Sequence, residues 1–321
     1  MRAAYITGYG DNSVVGYGPE ALIDVRAASV NPVELAFRAG EFQASVPFAF
    51  PKVMGFDVAG VVISAPEGAA FKTGDEVYAR LPSRQLGAFA ERAVVPVDLL
   101  AFKPRTLSFE AAASLPTVAL TTWQAFIERA QLAQDERVLI QAGAGGVGAF
   151  AIQLAKHLGA HVVATGGPGS QARMAELGAD QTVDYTHQRF EDFGPFDIVY
   201  DGVCGPLIER GIDALREGGR YIGLVRVADA RSYREAGLPA AIAEQAAAPI
   251  QPLIERATAR GAFFHGPLTR PDGAQLAAIA QVIDDGAIRA TVSKTYRFEQ
   301  LAAAYDDLAT GHTSGKIVLV P

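Results

Sequence analysis

Four closely spaced glycines lie between an apolar run and an apolar helical stretch in the segment DERVLIQAGAGGVGAFAIQLAK, residues 135–156. Residues 138–140 are typical of a parallel strand that is buried on both faces. The glycines at 143, 145, 146 and 148 then permit a tight turn and a close approach of the backbone to a ligand. The helix that follows presents N-terminal N–H groups and the positive end of its dipole, and both favour a pyrophosphate. The order strand, turn and helix therefore predicts a dinucleotide site, here for a nicotinamide cofactor.

Metal-ligating residues are scarce in the chain. No cysteine or histidine precedes His157, so the residues before it offer only carboxylates as side-chain ligands. A catalytic zinc needs about three Cys, His or carboxylate ligands. Cys204 is the only cysteine, which excludes a four-cysteine zinc site and an internal disulfide. Four histidines are interpreted as surface or packing residues: His157, His161, His187 and His312. His265 is left open because it follows a possible edge strand, and we predict no metal site.

Composition favours a soluble enzyme with a large core. The chain has 321 residues, half of them apolar, and its net charge of −7 comes without a basic cluster. These features argue against nucleic acid as a partner. No apolar run reaches the roughly 18 residues of a membrane span, and the N-terminus lacks the apolar stretch of a secretory signal. A single cysteine fits a reducing compartment, so a cytoplasmic location is expected.

Strands and helices alternate from about residue 120 to about residue 264. The strands are expected at 138–140, 161–165, 181–185, 196–201 and 220–225. Such alternation predicts right-handed βαβ units and a doubly wound parallel sheet, the Rossmann arrangement. The preceding residues contain short apolar runs among Gly and Pro and include a shortened hairpin at 8–19, which indicates a mostly-β domain. The tail, with a helix at 297–308 and a strand at 316–320, is expected to return to that domain.

The chain resembles the quinone oxidoreductase, or ζ-crystallin-like, branch of the medium-chain dehydrogenase/reductase superfamily. The family signature is matched by Asp135, Glu136, Leu139, Gly143, Ala144, Gly145, Gly146, Gly148, Gln153 and Lys156. Further matches are ASVNPVE with Asn31 and Pro32, GFDVAGVV from Gly55, GDEVYA from Gly74 and SGKIVLV from Ser314. The resemblance covers nearly the whole chain. It implies a GroES-like catalytic domain at 1–119 and 265–321, a Rossmann domain at 120–264, an active site in the cleft between them, and a homodimer formed through the sheet edge at 262–265.

The superfamily contains zinc-dependent alcohol dehydrogenases and metal-free reductases. By resemblance, the zinc enzymes carry cysteine where this chain has Asn31, histidine where it has Phe56, and a second cysteine near Thr117. The resemblance therefore implies a metal-free enzyme.

The choice between NADPH and NADH depends on the end of the second Rossmann strand, where NAD enzymes carry an acid for the ribose hydroxyls. Gly166 stands there, so no acid repels a 2′-phosphate. By resemblance, Ser170, Arg173 and Tyr185 lie beside that phosphate, although Arg173 is alternatively a solvated helix charge. NADPH is the predicted cofactor. The cofactor-binding residues that the resemblance implies are Asn31, Thr121, Gly145, Gly146, Val147, Thr165, Gly166, Ser170, Arg173, Tyr185, Val203, Leu224, Val225 and Lys316.

Without a metal, the hydride acceptor must already be polarised by conjugation, as in a quinone or an α,β-unsaturated carbonyl. Family members often carry tyrosines where this chain has Ala36 and Phe42, so no side-chain acid is identified. We expect the proton to come from solvent, with Asn31 as the catalytic residue that orients the carbonyl together with Thr121.

The aromatic residues near this segment are Phe37, Phe42, Phe48 and Phe50. Phe42 and Phe48 are predicted substrate residues, and core packing is the alternative. Two other functions stay open: a zinc alcohol dehydrogenase, and an NADPH-binding protein with a structural or interaction role.

Overall fold

The computed structural model describes residues 2–6, 15–43, 46–311 and 313–321. Most of the hairpin predicted at 8–19, namely residues 8–14, and His312 lie outside the described residues. The chain forms two compact units. Unit 1 comprises Met1–Thr117, Pro271–Gly286 and Ala290–Pro321, and unit 2 comprises Val118–Arg270 and Ala287–Arg289. Within the described residues, no helix has the length and apolar character needed to cross a bilayer.

Unit 1 is built on an eight-stranded sheet. Its strands are β1 Arg2–Ile6, β2 Val15–Ser29, β3 Asp57–Ser64, β4 Glu76–Arg80, β5 Arg92–Pro96, β6 Leu100–Phe102, β13 Val292–Arg297 and β14 Lys316–Val320. The strand order is β13-β14-β2-β3-β4-β6, and β1 and β5 also pair with β2. All of its pairings are antiparallel except β13 with β14. The long strand β2 buries Ala21, Ile23 and Val25 while the residues between them are half-buried, which is the alternation of a sheet with one face in the core.

The helices of unit 1 flank this sheet: α1 Pro32–Arg38, α2 Phe109–Ala113, α10 Gly273–Asp284 and α11 Leu301–Ala309. α3, Pro116–Trp123, includes the residues at which unit 1 ends and unit 2 begins. The helix predicted at 297–308 begins later, at Leu301, because Arg297 still pairs with Val320 in the sheet.

Unit 2 contains a six-stranded, all-parallel sheet. Its strands are β7 Arg137–Ile140, β8 His161–Gly166, β9 Gln181–Asp184, β10 Phe196–Asp201, β11 Leu215–Gly223 and β12 Phe263–His265. The strand order is β12-β11-β10-β7-β8-β9. The helices are α4 Gly146–His157, α5 Gln171–Glu176, α6 Ile208–Asp213, α7 Ala230–Glu235, α8 Ala240–Ala247 and α9 Gln251–Ala259. Chain order reverses direction between β7 and β10, which is the switch point where doubly wound sheets bind ligands. The predicted fold class, a Rossmann domain with a mostly-β domain, is confirmed.

The end of unit 2 differs from the predicted boundary at 264/265, which falls inside β12. The chain stays in unit 2 through Arg270 because its backbone is hydrogen-bonded there. Gly266 N donates to Oδ2 of Asp229 at 2.8 Å, and Arg270 N donates to Oε1 of Gln124 at 3.1 Å. These partners are side chains, so the strand pattern alone does not reveal them.

Candidate functional site

The glycine turn of unit 2 connects β7 to α4. Ala142 has a φ of +55°, and the N–H of Gly143 donates to the carbonyl of Thr165 at 2.8 Å. A Cβ on Gly148 would lie 2.3 Å from the carbonyl oxygen of Ala142, so only glycine permits this approach of helix to turn. Gly145 is the N-cap residue of α4 and has room for a Cβ, with the nearest atom at 3.4 Å. The turn therefore leaves the half-exposed N-terminus of α4 open to an anion.

Most of the predicted cofactor residues follow the carboxyl ends of the parallel strands. Gly166 ends β8, Tyr185 follows β9, and Val203 follows β10. Leu224 and Val225 follow β11, which ends two residues earlier than predicted. Tyr185, Val203 and Val225 are large apolar side chains left 63%, 47% and 42% exposed. Exposed apolar groups on both sides of the switch point are what a bound nucleotide would cover.

The end of β8 is closely packed at Gly166. A Cβ on Gly166 would lie 2.3 Å from Oγ of Ser170, whose hydroxyl donates to the carbonyl of Gly167 at 2.7 Å. Arg173 is half-exposed on α5 and forms an ion pair with Glu176 at 3.4 Å. Gly166 therefore carries no acid, and a larger residue there would require the side chains of Ser170 and Met174 to shift.

A buried carboxylate that the sequence analysis missed shapes the neighbouring loop. Oδ1 of Asp201 accepts from the N–H groups of Val203 and Cys204 at 2.8 and 2.7 Å, and Oδ2 accepts from the hydroxyl of Tyr221 at 2.6 Å. The Cys204 thiol in turn accepts from Val225 N at 3.4 Å, and burial raises the pKa of this thiol to about 11. The Asp201 carboxylate thus holds the backbone of Val203, a predicted cofactor residue, and of its neighbour Cys204. An acid at the end of a buried strand is the sequence signal that could have identified it.

Thr121, a predicted cofactor residue, and His265, whose role the sequence left open, also lie in unit 2. Oγ1 of Thr121 lies 2.6 Å from Oγ1 of Thr269, on the segment after β12. His265 ends β12 and is half-buried, and burial lowers its pKa below the usual range.

A hydrogen-bonded network surrounds Asp57 in unit 1, and the sequence analysis missed this residue also. Asp57 is fully buried at the start of β3. Its Oδ1 accepts from both the backbone N–H and the hydroxyl of Thr117, at 2.9 and 2.7 Å. Its Oδ2 accepts from the hydroxyl of Ser29 and from Nδ2 of Asn31, both at 2.9 Å. The charge is countered by Nζ of Lys316 at 3.5 Å.

Asn31 and Lys316 are inside this network. Nζ of Lys316 donates to Oδ1 of Asn31 at 2.5 Å and to the carbonyl of Val30 at 2.7 Å. The Asn31 amide thus bridges Lys316 and Asp57, although Asn31 is predicted to orient a substrate carbonyl. Lys316 is predicted to contact the cofactor, and the structure places its ammonium in the interior of unit 1, at 6% exposure for the residue.

Burial alters the titration of two of these groups. Glu34, on α1, accepts from the N–H of Asn31 at 3.3 Å, and desolvation raises its pKa to about 8 against the opposing effect of Lys316. Desolvation lowers the pKa of Lys316, opposed by the charges of Asp57 and Glu34. Burying ionisable groups at this density is costly to the folded state.

Three of the four aromatic residues named from the sequence come together. The Phe37 ring lies 4.8 Å from that of Phe42 and 5.5 Å from that of Phe48, measured between centroids. Phe56 is buried behind them, with its centroid 6.0 Å from that of Phe37, whereas Phe50 is 85% exposed and outside the cluster. Phe42 and Phe48 are half-buried, so this cluster presents part of its aromatic surface.

The donor set of unit 1 does not fit a catalytic zinc. The positions at which the zinc enzymes carry ligands hold Asn31, Phe56 and Thr117, and the two polar ones donate hydrogen bonds to Asp57. One carboxylate is too few for a zinc site. Across the described ranges, no three His, Cys, Asp or Glu side chains are grouped to hold a metal ion.

Two family models match the chain: an alcohol dehydrogenase GroES-like domain over residues 18–105 and a zinc-binding dehydrogenase over residues 177–319. The chain is 31% identical to the mouse protein named NAD(P)H oxidoreductase RTN4IP1, mitochondrial, over 99% of its own length and 89% of that protein. It belongs to the quinone oxidoreductase branch of the medium-chain dehydrogenase/reductase family. The match to the tomato 2-methylene-furan-3-one reductase, 31% identical over 94% of this chain and 72% of that one, is consistent with this family.

Solved structures of the family share the fold. The quinone oxidoreductase of Coxiella burnetii superposes with a TM-score of 0.79 at 28% identity, covering 100% of this chain and 99% of that one. The Escherichia coli quinone oxidoreductase, solved with NADPH, gives a TM-score of 0.75 at 23% identity, with 100% of both chains covered. Membership of this family, whose relatives are named NAD(P)H and NADPH-dependent oxidoreductases, confirms the predicted oxidoreductase and its nicotinamide cofactor.

The expected cytoplasmic location is wrong by the same comparison. The vertebrate relatives and a fungal relative are named as mitochondrial proteins. The expectation relied on missing apolar stretches, whereas mitochondrial targeting uses amphipathic, Arg-rich segments that such a test does not address.

Proposed function

We propose that the protein is an NADPH-dependent reductase that transfers hydride to a quinone or an α,β-unsaturated carbonyl compound without a metal ion. The observation that carries this proposal is the hydrogen bonding of Asn31 and Thr117 to Asp57. Both residues stand at zinc-ligand positions of the superfamily, and their donor groups face a carboxylate. A neutral amide and a hydroxyl cannot replace thiolates as ligands of a catalytic zinc.

The substrate class follows from the residues at the zinc-ligand positions, which cannot hold a metal to polarise a carbonyl group. A simple ketone needs strong polarisation of its carbonyl before hydride addition, whereas a conjugated acceptor already carries an electrophilic carbon. NADPH, when bound, supplies the hydride. Relatives named 2-methylene-furan-3-one reductase, from tomato, and NADPH-dependent alkenal/one oxidoreductase, from Arabidopsis thaliana, support a conjugated carbonyl as acceptor.

The preference for NADPH over NADH rests on the end of β8. Ser170 and Met174 fill the space that a side chain at Gly166 would need, with 2.3 Å to Oγ and 2.9 Å to Cε. Gly166 thus offers no carboxylate to repel a 2′-phosphate, and a larger residue would first have to displace these two side chains. Arg173 supplies positive charge one turn along α5, and the exposed Tyr185 follows the adjacent strand.

The decisive experiment is steady-state turnover of the purified chain with NADPH and with NADH. The acceptor panel contains 1,4-benzoquinone, 9,10-phenanthrenequinone and 2-methyl-2-cyclohexen-1-one, with ethanol and NADP⁺ as the reverse assay. We expect quinone or enone turnover, a lower KM for NADPH than for NADH, and unchanged rates after dialysis against a chelator. Stoichiometric zinc with alcohol oxidation that the chelator abolishes would identify an alcohol dehydrogenase instead. Tight NADPH binding without turnover of any acceptor would favour a binding protein.

We further propose that the protein is a homodimer formed through the edge strand β12. This three-residue strand ends the sheet of unit 2, and its Phe263 is 58% exposed. An exposed edge with an apolar side chain favours pairing with a second copy. Light scattering of the purified chain is expected to give the mass of a dimer, and a monomeric mass at micromolar concentration would rule it out.

A further inference from the structure

The segments that follow β10 and β11 are tied to each other through Asp201. This residue ends β10 and is fully buried. Its Oδ1 accepts from the N–H groups of Val203 and Cys204, at 2.8 and 2.7 Å, and its Oδ2 accepts from the hydroxyl of Tyr221 on β11 at 2.6 Å. Its backbone carbonyl accepts from the N–H of Leu224 at 3.0 Å. One residue therefore bonds to both segments and fixes their relative position.

The backbone at Cys204 is strained and depends on these bonds. Its φ of +58° lies in the left-handed region, which residues other than glycine rarely adopt. Such a conformation persists only where the surrounding structure enforces it. The bond from Cys204 N to Oδ1 of Asp201 supplies that constraint, and the thiol also accepts from Val225 N at 3.4 Å. Without the carboxylate, residues 202–204 are therefore expected to relax to another conformation.

Each of the two segments carries an exposed apolar side chain, Val203 after β10 and Val225 after β11. Both lie on one side of the switch point between β7 and β10, whereas β8 with Gly166 lies on the other side. A dinucleotide binds across such a switch point, with one half on each side. The 2′-phosphate is assigned to the β8 side, so the nicotinamide half falls to the side of the two valines.

We propose that Asp201 is a positioning residue for the nicotinamide half of NADPH, because its carboxylate holds Val203 and Val225 where they contact that half. The inference rests on the proposed function, since it concerns the cofactor of the same reaction. Asp201 is itself fully buried and acts through the two segments. Its loss therefore weakens the binding of one half of the cofactor and leaves the adenosine half unaffected.

The size of the effect follows from preorganisation. The apparent Kd of a ligand rises as the fraction of protein in the binding-competent conformation falls. If relaxation at Cys204 leaves about one molecule in ten with both segments in place, the Kd of NADPH rises about tenfold. A ligand that contacts only the β8 side of the sheet keeps its affinity.

The test compares Asp201→Ala, Asp201→Asn and Asp197→Ala in the full chain. Asp197 is the matched control, because it lies on the same strand and its Oδ2 accepts from the N–H of Arg137 at 2.7 Å. It is near the amino end of β10, whereas parallel sheets bind ligands at the carboxyl ends of their strands. Calorimetry measures the Kd of NADPH and of 2′,5′-ADP, which represents the adenosine half alone. Thermal unfolding measures the stability of each variant without any ligand.

Asp201→Ala is expected to raise the Kd of NADPH about tenfold and to leave the Kd of 2′,5′-ADP unchanged. Asp201→Asn keeps an oxygen for the two N–H groups, and its amide can donate to the Tyr221 hydroxyl, so NADPH binding is expected to be restored. Asp197→Ala is expected to lower the thermal midpoint and to change neither Kd.

Tyr221→Phe is the milder variant, which decides the question if Asp201→Ala does not fold. It keeps the ring that stacks on Phe264 and removes only the hydroxyl bonded to Oδ2 of Asp201. The carboxylate is then freer to rotate away from the two N–H groups. A smaller rise in the Kd of NADPH is expected, again without a change for 2′,5′-ADP.

Two results would overturn the positioning role of Asp201. One is an equal loss of affinity for NADPH and 2′,5′-ADP in Asp201→Ala and Tyr221→Phe, and the other is unchanged affinity for both ligands. A preference of the unmodified protein for NADH, or no turnover of any acceptor, would instead overturn the proposed function. In the case of NADH, the same comparison with NADH and ADP still decides the role of Asp201.

Discussion

Nζ of Lys316 donates a hydrogen bond to Oδ1 of Asn31 at 2.5 Å, although the two residues are 285 positions apart in the chain. The contact joins the first residue of β14 to the N-cap residue of α1. It also places the ammonium 3.5 Å from the buried Asp57. The last strand therefore completes the charge balance of a network whose other members come from the first 120 residues.

Lys316→Met is expected to destabilise unit 1 strongly. The substitution leaves the buried Asp57 without its ion-pair partner, and breaking a buried pair costs about 3–5 kcal/mol. Urea unfolding at pH 7 measures the change. Lys294→Met is the control, since Lys294 is 57% exposed and pairs with Asp307 at the surface. An equal effect of the two substitutions would contradict the role assigned to the buried pair.

Glu34→Gln is expected to reduce the dependence of stability on pH. Because the pKa of Glu34 rises from 4.5 to about 8 on folding, the native state holds a proton that the unfolded state releases. Its contribution to the free energy of unfolding is therefore fully present below pH 4.5 and is lost as pH rises through 8. Glutamine keeps the bond to the Asn31 N–H, because it serves equally at this position of a capping box.

The measurement for Glu34 is the urea midpoint at several pH values from 4.5 to 9. The midpoint of the unmodified protein is expected to fall across this range more steeply than that of Glu34→Gln. Parallel curves for the two proteins would show that the carboxyl titrates normally.

Two substitutions in the glycine turn distinguish a glycine needed for packing from a glycine needed for ligand binding. Gly148→Ala puts a Cβ 2.3 Å from the backbone oxygen of Ala142, which cannot move aside, so a loss of about 1–3 kcal/mol in stability is expected. Gly145→Ala meets only an ordinary contact at 3.4 Å and is expected to fold normally. If a pyrophosphate lies against Gly145, that second variant binds NADPH more weakly. Calorimetric titration and thermal unfolding distinguish the two effects, and unchanged NADPH affinity in Gly145→Ala would move the phosphate elsewhere.

Phe42→Ala tests the aromatic cluster as a substrate surface. Its ring packs 4.8 Å from Phe37, and an aromatic contact to a flat acceptor contributes about 0.5–1.5 kcal/mol. KM for 9,10-phenanthrenequinone is expected to rise by up to about tenfold, with little change for 2-methyl-2-cyclohexen-1-one. Phe102→Ala is the control, since Phe102 is 52% exposed and packs on Phe71 at a similar 4.9 Å. A uniform loss for both acceptors would indicate core packing alone.

The sequence predicted the Rossmann unit in detail because its signals are local. Gly148 is required by a backbone approach that no side chain permits, and β10 was predicted at its observed bounds, Phe196–Asp201. Apolar runs of this kind are buried on both faces, so composition reveals them without knowledge of their neighbours. The ends of strands were predicted less well, as at Gly223, because pairing with the adjacent strand decides where each one stops.

The sequence by itself determined the class of cofactor, the fold and the scarcity of zinc ligands, since each of these depends on residue type and short spacing. Only the tertiary structure decided the polar network of unit 1. Asp57 looked like one residue of an apolar run, and its importance appears only where Ser29, Asn31, Thr117 and Lys316 converge on it. Hydrogen bonds between residues so distant in the chain leave no periodic pattern, because each partner is chosen by folding and not by its neighbours in sequence.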